Sequence, residues 1–261
     1  MKTRLIAALA AFVLAASCST AEDPAVDTGP TAAGKQLSGS ATVFAAASLT
    51  ESFQEIGELF SEENPSAEIV FNFGASSGLA TQIAEQGGAD VFASADQANM
   101  KKMTDQELIE GEPRVFVRNR LQIIVAPGNP KGIRSLADLA APDLKVVLAA
   151  PEVPVGRYGS QALDKAGVTV NPVSQAVDVK GVVGPVTLGE ADAGIVYASD
   201  VKAAGAKAEG VSIPEESNVT AEYPIALVKG APNAQVGSAF IDLVLSDEGQ
   251  EILTRNGFVA P

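Results

Sequence analysis

Short apolar or β-branched runs alternate with segments of helical periodicity along most of the chain. Residues 53–60 show the helical spacing, with apolar side chains at Phe53, Ile56, Leu59 and Phe60. This alternation favours an α/β fold with open, mostly parallel sheets. The C-terminal segment, residues 234–255, is predicted to form one helix. The predicted strands cover residues 41–46, 68–73, 90–93, 115–126, 145–149, 194–197, 210–213 and 222–228.

The N-terminus has the parts of a secretory signal peptide over residues 1–17. Lys2 and Arg4 are basic, residues 5–16 are apolar, and small residues lead up to Cys18. The apolar run is shorter than the ~20 residues that a membrane-spanning helix needs. Because small residues before a cysteine resemble the bacterial lipobox, we predict an exported protein anchored to the cell membrane by a lipidated Cys18. An ordinary signal peptide with a chance cysteine is the alternative.

The segment after Cys18 and the overall charge limit the classes of partner. Residues 18–38 are rich in Ala, Gly, Pro, Thr and Asp, which predicts a flexible tether. Without Lys2 and Arg4, 16 basic side chains remain against 32 acidic ones, a net charge of −16. A surface this acidic repels nucleic acid, so we exclude DNA and RNA as partners. The rest of the chain is long enough for two modest lobes.

The residues 74–78 spell G-x-S-x-G, the pattern of a hydrolase nucleophile elbow centred on Ser76. The sequence has no histidine, so it cannot supply a Ser-His-Asp triad. Ser199 and Lys202 fit S-x-x-K, but the K-T-G element that accompanies it is missing. We therefore expect no enzyme and interpret Ser76 as a hydrogen-bond donor.

Two strand-to-helix corners in the first half of the chain carry serines. Ser48 and Glu51 match a capping box, which predicts Ser48 as a helix N-cap whose own O–H stays free to donate. Ser76 begins the next predicted helix, and Gly74 and Gly78 leave its first amides accessible. Helix N-termini attract anions, and in open α/β sheets they lie where ligands bind. The two corners together predict an anion site built from dipoles.

Three further corners follow in the second half of the chain. Gly156 is expected to expose an amide where residues 156–165 turn helical, and Asp178 is expected to cap a helix that runs to Leu188. Tyr197 ends a predicted buried strand. A tyrosine at a strand end indicates a core or rim position at least as well as a ligand-binding one, so this pattern alone leaves its role open.

Seven segments, in order, resemble the motifs of the periplasmic molybdate-binding proteins of ABC transporters. They are VFAAASLTESF, FNFGASSGLATQI, GADVFASADQANM, PEVPVGRYGSQAL, DVKGVVG, AGIVYASD and YPIALV. The resemblance implies a two-lobed type II periplasmic binding protein with two open mixed sheets flanked by helices. It places one lobe at residues 39–118 plus 224–261 and the other at 119–223. Two strands that cross between the lobes, near Arg118 and Tyr223, would serve as hinges.

The resemblance also implies the ligand and the residues that bind it. The hydroxyls of Ser48, Ser76 and Tyr197 and the amides of Val155 and Val179 would hold one tetrahedral oxyanion, with the amides of both serines also facing inward. The ligand would be molybdate or tungstate, held through its oxygens without direct metal ligation. The family works without a cofactor, as a monomer, and delivers the anion to the permease subunits of an ABC transporter.

Other ligands remain open. A cavity that offers only donors suits an oxyanion without protons, so sulfate is an alternative to molybdate and tungstate, whereas phosphate would need an acceptor for its proton. Ferric iron is a second alternative, through the phenols of Tyr197 and Tyr223. A sugar would need aromatic platforms, and the chain has no Trp and three Tyr.

Overall fold

The computed structural model describes residues 37–261, which contain nine strands and eight α-helices. The predicted signal peptide, the lipid-bearing Cys18 and nearly all of the predicted tether lie outside the described residues. The strands are β1 Gly39–Ala46, β2 Ala67–Gly74, β3 Val91–Ala93, β4 Ile109–Val125, β5 Val146–Ala149, β6 Ser174–Ala176, β7 Ala193–Tyr197, β8 Glu209–Ser212 and β9 Thr220–Val228. The helices are α1 Thr50–Glu63, α2 Ser76–Gln86, α3 Gln97–Asp105, α4 Pro154–Ala166, α5 Lys180–Thr187, α6 Ala198–Ala204, α7 Ala234–Leu245 and α8 Asp247–Arg255.

The nine strands form one hydrogen-bonded arrangement in the order β2-β1-β3-β9-β4-β7-β5-β6, with β8 also paired to β4. β1 pairs in parallel with β2 and β3, and β5 pairs in parallel with β6 and β7. The pairs that involve β4 or β9 are antiparallel. The sheet is therefore mixed, as the resemblance implies, and the prediction of mostly parallel sheets is wrong.

Two long strands connect the lobes. The first part of β4 pairs with β9, and its second part pairs with β7 and β8. In this ladder Arg118 lies opposite Glu222, and Tyr223 lies opposite Val117. On one side, α1, α2 and α7 pack against β1–β3, with α3 against α2 and β9 and α8 against α1 and α7; on the other, α4 and α5 pack against β5 and β7, and α6 against β4 and β7. The structure is thus a two-lobed α/β fold in which both chain crossings run side by side.

An aromatic cluster forms the centre of the first lobe. Phe53 and Phe60 lie on the buried face of α1, as their helical spacing predicts. The ring of Phe240 on α7 lies edge-on to both, at 5.5 and 6.1 Å. Each buried ring of this kind stabilises the fold by about 1.5–3 kcal/mol. The cluster anchors α1, whose N-terminal end leads into the cavity described below.

The C-terminal helix and the short strand β6 differ from the predicted elements. The C-terminal helix is interrupted at Ser246, whose extended backbone separates α7 from α8 and whose Oγ accepts a hydrogen bond from Gly249 N at 3.1 Å. The hydroxyl thus caps a new helix, which the continuous apolar periodicity concealed. β6 was not predicted, because its three residues lie at the sheet edge and carry no apolar alternation. Within residues 37–261 no helix is long and apolar enough to cross a membrane.

Candidate functional site

A cavity of about 20 Å³ lies where the carboxyl ends of β1, β2, β5 and β7 meet the first turns of the following helices. Sites for drug-sized ligands measure roughly 300–1,000 Å³, so this cavity suits only a ligand with very few atoms. The structure brings all five predicted binding residues to its wall, namely Ser48, Ser76, Val155, Val179 and Tyr197. The other lining residues are Ala46, Ala47, Gly74, Ala75, Ala95, Val153, Pro154 and Asp178.

Ser76 is the first residue of α2 and is buried, as the sequence predicts. Its Oγ accepts a hydrogen bond from Ala95 N at 2.9 Å. Its backbone N–H is one of the first four of the helix, which have no acceptor inside the helix. Because a protein donor already uses the hydroxyl oxygen, the O–H hydrogen is left to donate into the cavity. Ser77 does not line this cavity and faces another groove.

The predicted capping box at Ser48 is wrong. Ser48 lies in a 3₁₀ turn, Ala47–Leu49, that continues directly into α1, and Leu49 occupies the N-cap position without a side-chain cap. A residue already inside a helical turn lacks the extended backbone that an N-cap needs. Instead, Ser48 Oγ lies 2.9 Å from Tyr223 Oη, and Glu51 pairs with Lys180 Nζ at 2.7 Å.

Val155 and Val179 bring helix N-termini to the opposite wall. Val155 is the second residue of α4, which begins at Pro154, two residues earlier than predicted, and Val179 is the N-cap of α5. Both amides are therefore among the N–H groups that lack a partner inside their helix. Asp178 Oδ1 accepts from Gly181 N at 2.8 Å, which confirms the predicted cap. Gly156 is required sterically, since a Cβ there would lie 2.1 Å from Ala150 O.

Tyr197 ends β7 and is 1% exposed. Its Oη forms no hydrogen bond with any of the described residues, although the Tyr223 hydroxyl lies near it. Burial raises the pKa of Tyr197 well above its ordinary value, so the phenol stays neutral and can donate. A buried hydroxyl without a partner costs about 1–3 kcal/mol, which an acceptor in the cavity would offset.

Two buried residues near the cavity were not assigned to the anion site from the sequence. Tyr223 contacts Ser48 and packs edge-on against Tyr197 with ring centroids 5.8 Å apart. Asp200 Oδ2 accepts from Tyr197 N at 3.1 Å, while its Oδ1 has no partner among the described residues. Burial raises the pKa of Asp200 to about 7. Both lie inside the motifs YPIALV and AGIVYASD, but only the tertiary contacts show what they touch.

Two ion pairs join the lobes close in sequence to residues that line the cavity. Lys180 at the start of α5 pairs with Glu51 of α1, and Arg157 of α4 pairs with the buried Asp96. Each cation is thus neutralised by a carboxylate of the other lobe. The lining described above contains no Lys or Arg, and Asp178 is its one carboxylate. Apart from Asp178, the polar side chains of the wall are therefore neutral hydroxyls, set among apolar residues.

A larger groove of about 490 Å³ shares no residue with the lining of the small cavity, and its own lining includes Arg118, Arg120, Tyr158 and Glu222. Its two arginines are half-exposed and already paired, Arg118 with Glu222 and Arg120 with Glu215. No residue of the five predicted for binding lines it. Its size exceeds that of the small cavity, but convergent donors and a buried unpartnered hydroxyl favour the small cavity as the binding site.

Two α/β lobes that enclose a small cavity between helix N-termini define a periplasmic binding protein. The periplasmic molybdate-binding protein of Azotobacter vinelandii has the same fold, with a TM-score of 0.74 at 21% identity over 85% of this chain and 99% of that chain. Residues 41–259 match the family described as bacterial extracellular solute-binding protein, and the chain belongs to this family.

Two characterised relatives are similar over most of their length. The chain is 40% identical over 263 residues to the molybdate-binding protein ModA of Mycobacterium tuberculosis, covering 100% of this chain and 98% of the relative. It is 36% identical over 237 residues to ModA of Escherichia coli, covering 84% and 89%. These matches confirm the resemblance that the motifs indicate. They also confirm the expectation that the chain is a solute-binding protein and not an enzyme.

Proposed function

We propose that this chain is an extracytoplasmic solute-binding lipoprotein that captures molybdate, and also tungstate, between its lobes and delivers the anion to an ABC permease. The names of the two ModA relatives support molybdate as the ligand. The observation that carries the proposal is the convergence of five neutral donors on one cavity of about 20 Å³. These are the hydroxyls of Ser48, Ser76 and Tyr197 and the amides of Val155 and Val179.

Neutral donors explain how a protein of high negative charge can bind a dianion. Donors held in fixed positions need little reorganisation on binding, and the helix N-termini add about half a positive charge each. Each hydrogen bond to a charged acceptor contributes about 1.5–3 kcal/mol. Five of them, less the cost of association, correspond to roughly −8 to −12 kcal/mol, or micromolar to nanomolar dissociation constants.

The lobes would close on the anion by bending the paired strands β4 and β9. We place the lobe boundaries at residues 39–118 plus 224–261 and 119–223, with the hinges near Arg118 and Tyr223. The long pairing of β4 with β9 supports this division, because β4 contacts helices of both sides and β9 runs beside it. The ion pairs Lys180–Glu51 and Arg157–Asp96 support a closed arrangement around the cavity.

Attachment to the membrane would depend on Cys18, which follows an apolar segment and small residues. We expect the wild type to be recovered from the membrane fraction as a monomer after detergent extraction, and Cys18→Ala to be released. Fractionation followed by immunoblotting measures this. A Cys18→Ala variant that stays in the membrane fraction would instead indicate an uncleaved apolar segment as the anchor.

Sulfate is the second candidate ligand, because the same donors suit any unprotonated tetrahedral oxyanion. Ferric iron is disfavoured, since burial raises the pKa of both Tyr197 and Tyr223 and Tyr223 Oη is already bonded to Ser48. A hard ferric ion would need phenolates at these positions.

Thermal unfolding with each ligand in parallel tests the proposal. Molybdate and tungstate should raise the unfolding midpoint of the mature protein, since binding only to the folded state stabilises it by RT ln(1 + [L]/Kd). Phosphate, ferric citrate and maltose should have little effect at the same concentration. A shift with sulfate equal to that with molybdate would make the protein a general oxyanion or sulfate carrier.

A further inference from the structure

Tyr223 is held in a single position between the lobes. It lies on β9 opposite Val117 of β4, at the predicted hinge, and its side chain is fully buried. Three rings pack edge-on against it, those of Phe258 at 5.5 Å, Tyr197 at 5.8 Å and Phe116 at 6.4 Å. This packing fixes the plane of the ring and aims the hydroxyl at Ser48, 175 residues away in sequence.

The direction of the hydrogen bond between Tyr223 and Ser48 matters for the cavity. A serine has one O–H hydrogen, so a Ser48 that donates to Tyr223 has none left for a ligand. If Tyr223 donates instead, Ser48 Oγ accepts and its hydrogen can point into the cavity. The side chains of Asn119 and Tyr197 also face the Tyr223 hydroxyl, and burial keeps the phenol protonated by raising its pKa. A phenol is the more acidic of the two hydroxyl groups and therefore the stronger hydrogen-bond donor, which favours Tyr223 as the donor to Ser48.

Ser76 has the equivalent arrangement with a backbone donor. Its Oγ accepts from Ala95 N at 2.9 Å, and an N–H group cannot reverse its role. Both serines on this wall therefore have a protein donor on the oxygen, and both keep one hydrogen for the ligand. The difference is that the donor to Ser76 is part of the backbone, whereas the donor to Ser48 is one phenol that a single substitution removes.

We propose that Tyr223 is a positioning residue that donates to Ser48 Oγ and thereby fixes the Ser48 hydroxyl as a donor to the bound oxyanion. This inference rests on the proposed function. Tyr223 does not line the cavity and acts through Ser48. A chain of hydrogen bonds from Tyr223 through Ser48 to the anion also strengthens the last bond, because each bond polarises the next.

The arrangement has a consequence for selectivity. Without the phenol, Ser48 can rotate and use its oxygen to accept a hydrogen bond from an O–H group, which hydrogen phosphate has and molybdate lacks. Tyr223→Phe should therefore weaken molybdate binding and leave phosphate binding unchanged or slightly stronger. The ratio of the two affinities separates positioning from a general loss of packing, because a loosened fold would weaken both anions alike.

A double-mutant cycle with titration calorimetry at pH 7 tests the proposal on the mature chain, residues 18–261. The variants are Tyr223→Phe, Ser48→Ala and both together, and Tyr158→Phe is the matched control because it removes a phenol outside the cavity. We expect Tyr223→Phe to weaken molybdate binding roughly 3- to 10-fold with Ser48 present and less than about 2-fold with Ser48→Ala. Tyr158→Phe should bind as the wild type does.

The outcomes separate this inference from the proposed function. If the wild type binds molybdate and Tyr223→Phe binds equally well, or is weakened equally in both Ser48 backgrounds, Tyr223 does not position Ser48 and the inference is overturned while the function stands. If the wild type binds no oxyanion, the proposed function fails and the inference with it. If Tyr223→Phe lowers the unfolding midpoint, the ratio of the affinities for molybdate and phosphate decides the outcome. A ratio equal to that of the wild type would overturn the inference.

Discussion

The two walls of the cavity differ in how their hydroxyl groups are held. On the first wall, Ser48 and Ser76 each have a hydrogen-bond partner within the protein. On the second wall, Tyr197 Oη and the nearby Asp200 Oδ1 are buried and have no partner among the described residues. The serine hydroxyls of the first wall are therefore hydrogen-bonded without a ligand. The buried atoms at the second wall cost free energy until Tyr197 Oη finds an acceptor and the Asp200 carboxylate binds a proton.

This difference predicts that substitutions on the two walls affect folding in opposite directions even where they affect binding alike. Removing a hydroxyl from the first wall leaves a protein donor without its acceptor. Removing the hydroxyl from the second wall removes an unsatisfied group. Stability of the ligand-free protein is thus the quantity that separates the walls, and affinity for the anion is the quantity they share.

Ser76→Ala should have the largest effect, because it lowers both the stability of the ligand-free protein and its affinity for the anion. Loss of a donor to a charged acceptor costs about 1.5–3 kcal/mol, or roughly 10- to 150-fold in molybdate affinity. The buried Ala95 N–H also loses its acceptor, which destabilises the ligand-free fold by about 1–3 kcal/mol. Calorimetry and urea unfolding measure the two losses. Ser77→Ala is the matched control, and an equal effect there would contradict the assignment of Ser76.

Tyr197→Phe should weaken molybdate binding by a similar factor without destabilising the fold. The ring and its contact with Tyr223 are retained, and only a hydroxyl without a protein partner is removed. We therefore expect the free energy of unfolding to stay unchanged or to rise by up to about 1 kcal/mol. If the ligand-free variant is instead clearly less stable than the wild type, the two walls do not differ as described.

Asp200→Asn tests, through the pH dependence of stability, the buried carboxylate that supports Tyr197 beside the second wall. Burial raises the pKa of Asp200 from its ordinary value to about 7, so the folded state binds this proton more tightly than the unfolded chain. Wild-type stability should therefore fall, relative to the variant, as the pH rises from about 4 to 7, and the difference should level off above pH 7. A shift from 3.8 to about 7 corresponds to about 4 kcal/mol, which is the largest gain in stability that we expect for Asp200→Asn at pH 8 relative to pH below 4. Urea unfolding at pH 4.5, 6 and 8 measures it, and a constant difference would contradict the account.

Burial sets the sign of this effect, and charged groups from several elements modify the pKa of Asp200 further. Lys180 lowers the pKa of Asp200, whereas Glu51 and Asp178 raise it, after burial as the largest cause. Because Glu51 and Lys180 form a pair, they largely cancel at this distance. The Asn variant keeps an oxygen that can accept from Tyr197 N, so the loss of charge is the main change.

Of these substitutions, Glu51→Gln should change stability and molybdate affinity least. The ion pair Lys180–Glu51 joins the walls, but its side chains are 33% and 42% exposed, so solvent screens it. We expect less than about 1 kcal/mol in stability and less than about 3-fold in molybdate affinity, decreasing further in high salt. Asp105→Asn breaks the exposed pair with Lys101 inside α3 and serves as the control. A loss as large as that of Ser76→Ala would make the pair, and not the donors, the main source of affinity.

The sequence predicts the local parts of the site well. Apolar runs end and helices begin close to the predicted positions, and Ser76 is the first residue of α2 because its corner is defined by short-range backbone preferences. Asp178 caps the start of α5 as predicted. The five binding residues came from the resemblance to a family, and the structure brings all five to one cavity.

The contacts that distinguish the two walls could not be predicted from the sequence. Ser48 and Tyr223 are 175 residues apart, and no local pattern relates them. The capping-box pattern at Ser48 was misleading because Ser48 lies inside a 3₁₀ turn, where its hydroxyl contacts Tyr223 and not an amide of α1. The unpartnered oxygens of Tyr197 and Asp200 are likewise results of tertiary burial. Residue types were thus predictable, and their hydrogen-bond partners were not.

The most direct test of the central claim is a crystal structure of the mature protein grown with molybdate, using the anomalous signal of the metal to locate the anion. We predict one strong peak in the small cavity, with oxygens within hydrogen-bond distance of the Ser48, Ser76 and Tyr197 hydroxyls and the Val155 and Val179 amides. A peak in the groove beside Arg118 and Arg120, or coordination of the metal by side chains, would contradict the account.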